Sequence, residues 1–138
     1  MKLLVAVDGS EHAAKAVEAA GRLAAASNAH VVVVHQRSDG AADHGPTVPS
    51  DEGADAAQAI VDVAVMALRA AGAASASGRV VRGLKGEEAQ AIMDVAREED
   101  VDIVVVGPRG LGRLAGLLVG SVTDRLVQLA DRPVLVVR

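Results

Sequence analysis

The chain has 138 residues with 14 Lys and Arg against 18 Asp and Glu, a net charge of −4, which argues against a nucleic-acid backbone as partner. It contains no Cys and no Phe, Tyr or Trp, yet 51% of its residues are hydrophobic; disulfides, thiolate metal sites and a Cys nucleophile are excluded, and the core must be aliphatic. The length fits one domain, 1–138, no apolar run approaches the roughly 18 residues of a membrane span, and Met1–Asp8 is too short for a signal peptide, so a cytoplasmic protein is expected.

In chain order, Lys2–Val7 is a short apolar run that ends at Asp8-Gly9-Ser10, a buried strand followed by a turn. Ser10 is placed to cap a helix over Glu11–Ser27, with Ala13, Ala16, Val17, Ala20, Leu23 and Ala24 at helical spacing. His30–Gln36 holds four consecutive valines and predicts a second buried strand. Arg37–Gly53 is polar and rich in Gly, Pro, Asp and Ser, a long loop that is either disordered or a mobile flap. Ala54–Ala71 is a second helix with Ile60, Val63, Ala64, Ala67 and Leu68 as its apolar stripe, ended by Gly72. Arg79–Leu84 is a third strand whose arginines and flanking glycines suit a sheet edge. Glu87–Glu99 is a third helix with Ala89, Ile92, Val95 and Ala96 inward. Val101–Val106 is a fourth, fully buried strand. After a glycine loop come a last helix, Ser121–Ala130, and a closing strand, Val134–Val137.

Five strands alternating with helices predict an α/β fold, a parallel sheet with helices on both faces. In such sheets ligands lie beyond the carboxyl ends of the strands, where the winding reverses. If strands 1 and 4 are neighbours, the order is 3-2-1-4-5 and the crevice is lined by Asp8 and Gly107. The turn after strand 1 is not G-x-G-x-x-G, and no G-x-x-x-x-G-K-[ST] occurs. What is present is Gly107-Pro108-Arg109-Gly110, nine residues, then Gly120-Ser121. From Ile103 to Thr123 there is no Asp or Glu. Glycines admit a ligand close to backbone N–H groups, and a helix start adds unpaired donors and a partial positive charge. Together these suit a phosphate.

That spaced glycine motif resembles the nucleotide signature of the universal stress protein family, in its ATP-binding branch. Leu4–Ser10 is similar to the family's first strand and turn, Val32–His35 to its second strand, and Pro133–Arg138 to its closing strand. The resemblance implies the 3-2-1-4-5 order of adenine nucleotide alpha hydrolase-like folds, a homodimer, and binding of ATP, with Mg2+, in stress responses. It sets Asp8 and the backbone near Gln36 around adenine and ribose. Gly107, Arg109 and Gly110 line the phosphate side, while Gly120, Ser121, Val122 and Thr123 hold phosphate oxygens through N–H and hydroxyl groups. Two positions depart from the family. Pro108 stands where Ser or Thr is usual and removes an N–H and a hydroxyl. Gln36 stands where an apolar residue is common.

Asp8 is either a turn-former or a contact to ribose, adenine or a metal ion, and the switch-point geometry favours contact. His35 reads as a packed histidine. No histidine pair shows metal-ligand spacing such as H-E-x-x-H, and no Ser-His-Asp set can be assembled. An uncharged aliphatic edge at Val134–Val137 invites pairing with a second copy. The expected function is a nucleotide-dependent dimeric switch or sensor. Its competitors are a slow ATPase without a clear catalytic base and a scaffold that works without nucleotide. A cyclic or other adenine nucleotide is equally compatible with donors of this kind.

Overall fold

A computed structural model describes residues 1–38, 53–108 and 121–138. The elements are β1 (Lys2–Ala6), α1 (Glu11–Ser27), β2 (His30–Ser38), α2 (Ala54–Ala70), β3 (Ser75–Gly83), α3 (Glu88–Glu98), β4 (Ile103–Val106), α4 (Ser121–Leu129) and β5 (Val134–Val136). The five strands form one parallel sheet in the order β3-β2-β1-β4-β5. The strand order and both-sided helix packing expected from the sequence are therefore present. Arg37 and Ser38 of the expected loop belong instead to β2, where they pair with Arg82 and Gly83, and residues 39–52 lie outside the described residues.

Two aliphatic layers hold the sheet. One packs α1 and α2 on Leu3, Val5, Val31 and Val33 through Ala16, Val17, Ala20, Val61 and Leu68. The other packs α3 and α4 on Leu4, Val34 and Val104 through Ile92, Met93, Ala96 and Leu126. The alternation of a strand explains the split, since neighbouring residues point to opposite faces. Small residues let the layers close. A Cβ at Gly21 would come within 2.5 Å of Ala71 Cβ, so α1 and α2 meet there at the closest spacing a side chain allows.

Helix α1 starts as expected: Ser10 Oγ accepts from Ala13 N–H at 3.2 Å. Its C-cap is Asn28 in the left-handed region, with φ 53°. Helix α2 departs from its predicted stripe. Ala57, Val61, Ala64 and Leu68 are buried, while Val63 is 66% exposed. The helix is apolar on more than one face, so periodicity alone left its rotation open. Gly78 on β3 fixes it, because a Cβ there would lie 2.1 Å from Val61 Cγ1.

Strand β3 begins four residues earlier than predicted, at Ser75. Its serines are satisfied by a side chain rather than by hydrophobic packing: His30 Nδ1 meets Ser75 Oγ at 2.6 Å and Nε2 meets Ser77 Oγ at 2.9 Å. Arg79 bridges to Glu98 at the end of α3 and to its C-cap Glu99, each at 3.0 Å. Strand β4 begins two residues later than predicted, because Val101 N–H bonds back to the Ala96 carbonyl in the α3 terminus.

Arg132 staples the end of α3 to the start of β4. One guanidinium nitrogen donates to the carbonyls of Ala96 and Val101, each at 2.9 Å. Arg132→Ala leaves two partly buried carbonyls without that donor, and a loss of about 1–2 kcal/mol is expected in urea denaturation. Hydrogen bonds from Arg132 and then Arg97 hold the exposed Asp131 carboxyl well below its ordinary value of 3.8. A depressed folded pKa stabilises at neutral pH. That contribution is lost only as the pH falls below 3.8 toward the folded value.

Candidate nucleotide site

Neighbouring strands β1 and β4 are followed by helices on opposite faces of the sheet. Strand β1 lies between β2 and β4, with Leu3 opposite Ile103 and Val5 opposite Val105. The chain leaves β1 into α1 on one face and leaves β4 toward α4 on the other. The connections that follow β1 and β4 thus belong to opposite faces of the sheet, the topology at which sheets of this kind admit a ligand.

Asp8 lies two residues beyond the end of β1. Its Oδ1 accepts from Ser10 N–H at 2.9 Å, and Gly9 turns the chain with φ +80°, a conformation that favours glycine. The turn-forming role expected for Asp8 uses only this one oxygen. Oδ2 is buried and has no hydrogen-bond partner among the described residues. A buried acceptor left this way costs about 1–3 kcal/mol, so the site gains if a donor is supplied.

Gly107 follows β4. A Cβ there would sit 2.8 Å from the His12 carbonyl oxygen, so its lack of a side chain lets the first turn of α1 rest against the end of β4. Thr123, 3% exposed, donates its hydroxyl to the Gly107 carbonyl at 2.8 Å. This bond fastens the first turn of α4 to the end of β4. Pro108 is buried beside it. Phosphate oxygens only accept, and the single hydroxyl proton is already given to Gly107. Ser121 is exposed at the helix start, and Val122 packs against the core. Four unpaired N–H groups and a partial positive charge are the ordinary endowment of such a start. Arg109, Gly110 and Gly120 lie outside the described residues.

His35 is buried, and its Nδ1 donates to the Val7 carbonyl at 2.8 Å. It ties the ends of β1 and β2 together, in keeping with the packed histidine read from the sequence. Gln36, next along β2, is 8% exposed. Its Nε2 donates to the Leu84 carbonyl at 2.9 Å, and its Oε1 is buried with no partner among the described residues. The sequence reading singled out the backbone at Gln36; the unpaired side-chain oxygen was missed. So were His12 and Gly83. The available signal was a lone amide closing a run of valines. A separate open groove of about 400 Å³ lies between α2 and β3, lined by Gln58, Asp62, Met66 and Ser77 among others, and contains none of the expected site residues.

The universal stress protein family profile matches residues 1–138. This chain belongs to the universal stress protein family. Universal stress protein YxiE of Bacillus subtilis is 31% identical over 145 aligned positions, covering 99% of this chain and 98% of YxiE. Universal stress protein Rv2623 of Mycobacterium tuberculosis is 54% identical over a shorter stretch of 44 residues, which spans 32% of this chain and only 15% of that relative. Among solved structures, a universal stress protein crystallised in complex with cAMP superposes with a TM-score of 0.79 at 31% identity, covering 100% of this chain and 96% of that one. No helix among the described residues is long and apolar enough to cross a membrane.

Proposed function

We propose that this single-domain chain binds an adenine nucleotide, ATP with Mg2+, in the β1/β4 crevice and acts in the cytoplasm as a dimeric, nucleotide-dependent switch in stress responses. The observation that carries the proposal is the buried, unpaired Asp8 Oδ2 at the strand-order reversal. It calls for a donor of the kind a ribose hydroxyl provides, or for a cation. One carboxylate together with phosphate oxygens is a usual way of holding Mg2+. The cAMP complex of a relative supports an adenine nucleotide as the guest. Asp8 and Gln36 then face the nucleoside, Gly107 and Arg109-Gly110 flank the phosphates, and Gly120, Ser121 and Val122 meet them through backbone N–H groups. Thr123 serves as the fastener that sets α4 at the right angle.

The dimer is proposed through β5. Its three residues sit at the sheet edge with Leu135 40% exposed, and a second copy would satisfy that edge. A scaffold that works without nucleotide is the second reading, favoured by the inward commitment of the Thr123 hydroxyl and by buried Pro108. Any hydrolysis is expected to be slow.

Isothermal titration with MgATP separates the readings. Saturable binding is expected, together with thermal stabilisation equivalent to about 2.7 kcal/mol at a hundredfold excess over Kd. Gly110→Asp, which adds a charge opposed to phosphate, should abolish both. No heat and no thermal shift with the wild-type protein would eliminate the switch and leave the scaffold.

A further inference from the structure

Helix α2 differs from its neighbours in what it shows to solvent. Its 17 residues carry three charged side chains, Asp55, Asp62 and Arg69. The side turned away from the buried stripe is apolar: Ala59, Val63, Met66 and Ala70 are all exposed. Val63 at 66% and Met66 at 70% are the two most exposed large hydrophobic side chains among the described residues. Helix α1 instead turns Lys15, Glu18 and Arg22 outward, and α3 turns Gln90, Asp94 and Arg97 outward. The steps of four, three and four residues along the α2 stripe are those of a seam that a second helix packs against.

Asp62 and Arg69 lie on one flank of this seam, seven residues apart in sequence and about 10 Å apart along the helix axis. Both are exposed, and neither has an ion-pair partner among the described residues. They also form, with Met66, the α2 side of the open groove beside β3. Within one chain the two charges are too far apart to meet. A two-fold axis beside Val65 and Met66 brings them together twice. Asp62 then opposes Arg69 of a second copy, and Arg69 opposes that copy's Asp62. The same antiparallel arrangement sets Val63 against Met66 and Ala59 against Ala70, so small residues meet at both ends of the seam. A parallel pair in register would set Asp62 against Asp62 and Arg69 against Arg69, and like charges repel.

We infer that the outer seam of α2 is a self-association surface, on which a second copy of this chain packs its own α2 antiparallel about a two-fold axis. Such an interface is self-complementary, which is what the order of the two charges provides. The helix packs beside β3, at the sheet edge opposite β5. The surface is therefore separate from the β5 pairing proposed above, and chains that use both build assemblies larger than a dimer. One pair of helices falls short of the roughly 1,200–2,000 Å² of a standard stable interface, so the association is weak and concentration-dependent.

The test is sedimentation equilibrium of wild type, Met66→Glu, Asp62→Arg, Arg69→Asp and the charge swap Asp62→Arg/Arg69→Asp, run to about 1 mM protein to reach weak association. All the substituted positions are exposed, and circular dichroism verifies that each variant is folded. The wild-type mass should rise with concentration to twice that of Met66→Glu. Each single reversal sets like charges together at two places and should weaken the association by about tenfold. The swap restores opposite charges at both places and should return the association to within about threefold of wild type. No interaction inside one chain predicts that rescue. The chain has no Cys, so Met66→Cys places a single thiol beside the axis. With diamide as oxidant it should form a disulfide-linked dimer faster than Val127→Cys on α4, a residue 53% exposed. A mass that no α2 variant changes, single reversals without rescue by the swap, or equal crosslinking of the two thiols overturns the inference. The nucleotide reading and the β5 pairing stand in each case, because neither uses the outer side of α2.

Discussion

Leu126→Ala is expected to destabilise the protein by about 2–5 kcal/mol and to weaken nucleotide binding with it. Helix α4 has nine residues, and its buried positions are Thr123 and Leu126. A helix this short does not persist on its own in water, so its orientation comes from what it buries. Leu126 is fully buried in the layer that contains Leu4, Met93 and Val104. Thr123 lies three residues earlier on the same face and is bonded to Gly107. Truncating Leu126 removes the apolar half of that anchor and leaves the hydrogen bond to hold the helix alone. Urea denaturation reads the stability loss, and nucleotide titration of the same variant reads the site. Val127→Ala on the outward face, where Val127 is 53% exposed, should stay within about 0.5 kcal/mol. Equal effects from the two substitutions would show that α4 is not anchored through Leu126.

Strand order and helix placement were legible because they follow from patterns with one physical solution. Four valines in β2 can only be buried, and a strand-helix alternation without hairpin turns leaves little choice but a parallel sheet. Ser10 announced the start of α1 because a hydroxyl before a helical stripe satisfies an N–H that would otherwise be orphaned. The rotation of α2 was not legible. Its 17 residues include Val63 and Met66 on the outer face, so two apolar stripes competed, and Gly78 on another strand made the choice. The early start of β3 was hidden for a related reason: Ser75 and Ser77 look like loop residues until His30 is brought beside them. In the site, residue types were legible and their partners were not. Gly107 was read as space for a ligand, yet the space is shared with the His12 carbonyl. Thr123 was read among residues that hold phosphate oxygens through N–H and hydroxyl groups, and its hydroxyl also fastens Gly107. Neither contact leaves a signature in local sequence, because each joins residues brought together only by the sheet.

Gly107→Ala should therefore damage fold and site together, for a reason separate from phosphate binding. The new methyl carbon would lie 2.8 Å from the His12 carbonyl oxygen and 3.0 Å from its carbon. These are backbone atoms in the first turn of α1 and cannot rotate aside as a side chain can. Either α1 or the end of β4 must move, at a cost of about 1–3 kcal/mol typical of overpacking. Movement of β4 carries the Gly107 carbonyl away from Thr123 and shifts the crevice wall facing Asp8. Nucleotide affinity should fall by roughly tenfold or more, since each 1.4 kcal/mol of lost contact is a factor of ten. A double-mutant cycle with Thr123→Val separates this mechanism from a local clash. If the strand end moves, the Thr123 bond is already strained in Gly107→Ala, and Thr123→Val costs less there than in wild type, with a coupling of about 0.5–3 kcal/mol. Strict additivity of the two losses would mean that the clash is absorbed by α1 and that β4 and α4 stay joined.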